Sequence, residues 1–229
     1  MRSLLSRAIV ATANRYPAVL GHLNASALKT YAFYASSIRD LTKKLYDGKV
    51  AYLDFVSKME NLITVQLRLA WFEGMEANGL AEDDMTTEWA GILREIIMSE
   101  QDHVAEFALV IEGARRAESP VDPLLSRADL WGNRYNDVVN QARVITAGEK
   151  DKMIWVLGET DEHCHNGDGG RMGIGCAELA GLVAYASEWD ASGIKPQGQM
   201  LNCGGWNCRC ELKPTNKRRT KNVTEILGI

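Results

Sequence analysis

Five cysteines hold most of the reactive potential of this 229-residue chain, and all lie in its last third. They are spaced Cys164-x11-Cys176-x26-Cys203-x4-Cys208-x-Cys210. An odd number cannot all pair within one chain, and in a reducing compartment such clustering favours a metal site over a disulfide framework. A structural zinc ion needs four soft ligands in a tetrahedron, commonly delivered by turns that each close a short chelate loop. Cys203 and Cys208 make one such knuckle, with Gly204 and Gly205 letting the backbone reverse between them. Cys208 and Cys210 are two apart, so on a strand both sulfurs share a face with Leu212. Arg209, Glu211 and Lys213 then take the opposite, wet face of an edge strand. The upstream pair is wider, and His163 and His165 flank Cys164 as alternative ligands. From the residues alone, zinc ligation drawn from Cys164, Cys176, Cys203, Cys208 and Cys210 stands beside unligated buried cysteines and disulfides. One thiol must be spare in a four-ligand site, and Cys208 or Cys210 is the expected one.

Other chemistries are poorly served. No thiol stands apart with a histidine-bearing partner segment, which argues against a catalytic cysteine. Glu100-x-x-His103, with Glu73, Glu76 and Glu106, offers half of a di-iron pattern, but such bundles need two inward Glu-x-x-His pairs. The helical part has only His22 besides His103, so a solvated helix face suits these residues better. Asp161, His163, His165 and Asp168 form the densest polar cluster, as a metal-dependent nuclease or hydrolase would require. That cluster overlaps the zinc turn, and a closed structural site leaves no position for water. Gly173-x-Gly175 is not a dinucleotide loop, and no Walker A motif is present. No catalytic residue is assigned, and the chain reads as a non-enzyme.

Residues 1–147 must position this module, and they read as helix. Leu53, Val56, Met59, Leu62, Ile63, Leu69 and Phe72 recur at three- and four-residue steps, followed by Gly79 as a C-cap. A second stripe runs through Trp89, Ile92, Leu93, Ile96, Ile97, Val104, Phe107, Ala108 and Ile111 as one long helix ending before Pro120. A third helix is expected over about 124–147, opening at Ser126 with Asp129 three residues on, its inner face carrying Tyr135, Val138, Val139, Ala142 and Ile145. The texture changes at Gly148: MIWVL at 153–157 fits a buried strand, and a short helix is expected around 177–188. The expectation is a mostly α protein: a long-helix docking region at 1–147, a small α+β cysteine-rich module at 148–214, and a basic tail at 215–229.

The net charge of −4 gives no global reason to bind nucleic acid. Both ends are nevertheless basic. Arg2, Arg7, Arg15, Lys29 and Arg39 precede the first acid, Asp40, and Lys213, Lys217, Arg218, Arg219 and Lys221 fall between Glu211 and Glu225. The closing group is the candidate contact for DNA or an acidic partner surface; the bland alternative is a pair of solvated termini. MRSLLSRAIVATANRYPAVL makes a poor secretory signal because Arg7 interrupts its apolar run, and its composition suits either a transit peptide or an amphipathic helix. No stretch reaches the ~20 apolar residues of a spanning helix. A soluble protein made in a reducing cytoplasm is expected, with no membrane partner.

The stretches LWGNRYNDVVNQAR, IWVLGETDEHC and EWDASGIKPQGQMLNCGGWNCRCEL bring a family into view. Over residues 128–213 the chain resembles the phage head morphogenesis domain of Mu F-type minor head proteins. The ordered set Cys164, Trp189, Pro196, Cys203 and C-R-C at 208–210 carries the likeness. It implies a bacteriophage or prophage structural protein, made in the host cytoplasm, present in few virion copies and oligomeric in assembly, with portal, capsid or connector proteins as partners. Some such proteins help package or deliver DNA, so a zinc-module nucleic-acid-binding protein is the alternative. One departure is visible: HNGDGGRMGIG separates two cysteines that the family holds close, leaving Cys176 or His165 to complete the site.

Overall fold

A computed structural model describes residues 30–158, 174–198, 200–205 and 208–229. The N-terminal basic stretch, Cys164, His163, His165, Asp161 and Asp168 lie outside the described residues. The architecture is mostly helical, with long helices followed by a small sheet and a cysteine cluster. The helices are α1 (Tyr31–Tyr46), α2 (Tyr52–Ala77), α3 (Thr87–Gln101), α4 (Val104–Arg116) and α5 (Asp122–Ile145). After them come β1 (Lys152–Val156), the one-turn α6 (Cys176–Leu179), β2 (Val183–Tyr185), α7 (Ala186–Ser192), β3 (Glu211–Pro214) and α8 (Val223–Leu227).

Helix α2, 26 residues and so about 39 Å long, packs along α5, and α1 leans on both. Its buried stripe is Phe55, Met59, Ile63, Leu67, Ala70, Trp71 and Met75. Leu53, expected in that stripe, is 76% exposed, because it sits two residues, about 200°, from Phe55 on the helix wheel. Gly79 does close the helix: at φ +76 its N–H reaches the Glu76 carbonyl and the following Leu80 N–H reaches Met75.

The second stripe is two helices rather than one. The chain turns at Asp102 and His103, where Gln101 donates to the Glu60 carbonyl (3.1 Å) and Thr64 Oγ1 (2.9 Å) of α2. That anchor pins the end of α3. A separate α4 can then aim Val104, Phe107, Ala108 and Ile111 into the core. The third helix starts earlier than expected, at Asp122 with Pro123 in its first turn, where a missing N–H costs nothing. Ser126 and Asp129 are therefore interior, and Asp129 pairs with Arg39 across to α1 at 2.6 Å.

A second, smaller core begins after α5. Strand β1 is central in an antiparallel sheet of order β2-β1-β3, with Trp155 opposite Leu212 and Met153 opposite Ala184. The single helix expected around 177–188 is instead α6, β2 and α7. Gly181 at φ +78 ends the first turn and lets Val183–Tyr185 pair with β1. Trp189 packs its ring against Trp155, centroids 5.7 Å apart, and donates to the Met153 carbonyl. The stretch expected as a basic tail belongs to this core. Val223 and Leu227 of α8 are buried within it, and Arg219 grips Glu188 of α7. Two apolar residues at four-residue spacing are enough to dock one helical turn.

The two long helices meet most closely at Gly74, where an added Cβ would sit 2.5 Å from both the Ala142 Cβ and the Val139 carbonyl of α5. Gly74→Ala should therefore lower stability by about 1–3 kcal/mol through overpacking, despite alanine's better helix propensity. A melting temperature equal to or above that of the parent would show that the helices separate there at little cost.

Candidate metal centre

The lone parallel bridge between Ile174 and Leu201 explains how distant cysteines meet. Cys176 and Cys203 each lie two residues beyond it, so one pairing brings both to the same place. The Asn202 N–H to the Ile174 carbonyl (3.2 Å) secures the crossing. From Cys203 the chain reverses through Gly204 (φ +59) and Gly205 (φ +80) and returns with Cys208. A side chain at Gly205 would collide with the Gln197 carbonyl, so glycine is required there for space as well as for conformation. The expected knuckle is present.

The sulfurs of Cys176, Cys203 and Cys208 all lie within 4.8 Å of one another and could bind a metal ion. Tetrahedral sulfurs around an ion at ~2.3 Å sit about 3.8 Å apart, so a small contraction would close the set. Cys210 exchanges hydrogen bonds with Cys176 and Cys208 and so adjoins the trio. The segment 208–210 is extended but unpaired; the ladder starts at Glu211. The alternation nonetheless holds, with Cys208, Cys210 and Leu212 buried and Arg209 and Lys213 exposed. Strand β3 is an edge, as its pattern suggested. All four thiols are free of disulfides.

These four sulfurs cannot behave as independent thiols. Hydrogen bonds from Cys176 and Cys208 hold Cys203 far below the ordinary value of 9.0, against the opposing effect of burial. Cys210 is lowered by the same two donors, helped by the Gly158 N–H and the Trp155 indole. The Trp155 Nε1 is buried without a conventional partner, so a thiolate is its natural counterpart. Cys176 moves up, chiefly by donating to Cys203 and then to Cys208 and Cys210. Cys208 also moves up: the bond from Cys176 favours its thiolate, but its bonds with Cys203 and Cys210 and its burial outweigh that. The cluster thus favours the ionised form at Cys203 and Cys210, with backbone N–H groups adding to it. This is a soft, negatively charged donor set of the type that structural metal ions occupy.

The shell outside the sulfurs was invisible in the sequence. Gln197, at φ +62, donates from Nε2 to the carbonyls of Cys208 (2.8 Å) and Cys210 (3.0 Å). Its Oε1 accepts from Asn140 Nδ2 of α5 at 2.9 Å. Asn140 Oδ1 in turn accepts the buried Leu212 N–H at 2.9 Å. Asn140 therefore holds both the loop carrying the cysteines and the strand beyond it. Its only sequence signal is an amide beside the buried stripe of α5, and Gln197 has none.

The remaining expected contacts are scattered. Lys213 pairs with Glu211 at 3.2 Å, while Lys217, Arg218 and Lys221 are exposed. Arg219 is engaged with Glu188 and lies 5.7 Å from the Tyr185 ring centroid. The solvated carboxylates expected on the helices are mostly paired. Glu100 binds Arg134 Nε at 2.8 Å, Glu106 lies 3.7 Å from Arg127, and Glu73 accepts from Tyr135 Oη at 2.8 Å. No described helix is long and apolar enough to cross a membrane.

The fold and site define a helical protein with a cysteine-lined candidate metal centre in a small appended sheet. No protein-family model, curated protein or solved structure matches the chain.

Asn140→Ala would leave the buried Leu212 N–H without an acceptor and release Gln197, costing about 1–3 kcal/mol. Thermal unfolding followed by circular dichroism should shift down by several degrees. An unchanged transition would mean that the helix does not support the cysteine loop.

Proposed function

We propose that this chain is a minor structural protein of a bacteriophage or prophage head, associated with portal or capsid, whose C-terminal module is stapled by structural zinc. The observation that carries the reading is the convergence of Cys176, Cys203 and Cys208, with Cys210 hydrogen-bonded beside them. In this reading those four are the ligands and Cys164 is the spare thiol, in place of Cys208 or Cys210. Bound zinc would neutralise the thiolates and supply folding energy.

The resemblance to head morphogenesis domains adds the biological setting. Three of its marker elements support one folded unit: Trp189 packs against Trp155 with tilted rings, Pro196 is buried just ahead of Gln197, and C-R-C leads into β3. The helical half supplies docking length, and the staple suits a module of about 65 residues, whose core alone is marginal. A closed four-sulfur site has no open coordination position, which suits a structural role over hydrolysis.

The test is location. Quantitative mass spectrometry of gradient-purified heads from the encoding phage or induced prophage should find the chain at a few copies per particle. Its complete absence from heads and head precursors, while it is expressed in the infected cell, would overturn the reading.

A further inference from the structure

A groove of about 520 Å³ opens between the start of β1 and the segment leading into α8. Its walls carry five cations, Lys150, Lys152, Arg218, Arg219 and Lys221, and no acid. The sequence separates these residues by some 65 positions, and only folding brings Lys150 and Lys152 to the closing basic run. We propose that this groove seats the sugar–phosphate backbone of duplex nucleic acid in a sequence-independent contact.

Three features support that occupant. The first is that the charge is largely unspent. Arg219 is paired with Glu188, but Lys150, Arg218 and Lys221 have no carboxylate partner among the described residues. Of the two acids flanking Lys150 in the chain, Glu149 and Asp151, the latter has its carboxylate on the Gly148 N–H. The second is that the segment carrying the cations is held in place. Lys152 Nζ donates to the Lys217 carbonyl at 2.8 Å, and Thr220 exchanges bonds with Val183 through both its N–H and its Oγ1, each at 2.9 Å. With Val223 and Leu227 buried below, the segment need not be ordered on binding, which removes one cost of association.

The third feature is what the groove lacks. Its one aromatic residue, Tyr185, already has the Arg219 guanidinium near its ring, so no free platform exists for stacking unpaired bases. No large apolar side chain lines it either, whereas protein partners are usually anchored by such groups. Spaced cations without stacking or apolar anchors suit the regular phosphates of a duplex. Nothing in this inference depends on the cysteine cluster or on a role in the virion.

Fluorescence anisotropy of a labelled duplex of about 20 base pairs tests the proposal, since each phosphate contact contributes roughly 0.9 to the slope of log K against log salt. The full-length protein should bind, and Lys150→Ala/Arg218→Ala/Lys221→Ala should bind at least ~10-fold more weakly with a slope smaller by about 2–3. The three side chains are exposed, so its melting temperature should match the parent's; if it does not, Arg218→Glu alone provides the same comparison. No binding by the intact chain at low salt would overturn the proposal, as would an unchanged affinity and slope in the variants. Equal or tighter binding of single strands would overturn the duplex assignment. Displacement of the duplex by polyglutamate at equal charge would reassign the groove to an acidic protein surface.

Discussion

Three cysteine sulfurs crowd within 4.8 Å of one another with Cys210 beside them, and that crowding is the constraint on which the C-terminal third depends. Protonated, they need hydrogen-bond acceptors that an apolar core does not provide; ionised, they repel one another in a low dielectric. Hydrogen bonds among the four pull Cys203 and Cys210 down and push Cys176 and Cys208 up from the ordinary thiol value. A divalent cation would relieve the conflict, because coordinate bonds from Cys176, Cys203 and Cys208 would replace thiol protons. The surrounding backbone is arranged for that outcome, with left-handed glycines at the reversal and N–H groups turned toward sulfur.

The two cores meet along α5, where Val144 packs against the sheet core beside a set of polar contacts. The helical core and the sheet core are separate sets of buried side chains. Polar contacts join them: Asn140 to Gln197 and Leu212, and Arg143 to the Leu212 carbonyl and Glu211. Lys195 of the proline loop reaches Asp137 of α5 at 3.1 Å. Burial lowers the Lys195 pKa to about 8, with the Arg134 charge adding to it. A joint built from directional hydrogen bonds fixes orientation more tightly than an apolar seam of similar area would. Disturbance of the sulfurs would therefore reach α5 through two carbonyls and one amide.

The sequence made some of this legible and hid the rest for definable reasons. Helical periodicity identified the bundle because each long helix buries one stripe, and the glycine pair between Cys203 and Cys208 announced the reversal. The division of the second stripe was hidden because the anchor responsible, Gln101 on α2, is a tertiary contact. Strand β2 was missed because three residues give no period. The closing basic run looked like a tail because its docking residues, Val223 and Leu227, are only two apolar positions among many polar ones. Gln197 and Asn140 act through backbone carbonyls and an N–H, which no spacing rule encodes. The convergence of Cys176 with Cys203 rests on one parallel bridge between residues 27 positions apart, a pairing that local patterns do not contain.

The cysteine clasp remains the claim on which the account stands. Zinc K-edge absorption of the full-length protein, purified without added metal or chelator, tests it most directly. The account predicts about one zinc per chain with four sulfur scatterers at ~2.3 Å. A zinc content below about half an equivalent, or a first shell dominated by nitrogen and oxygen, would contradict it.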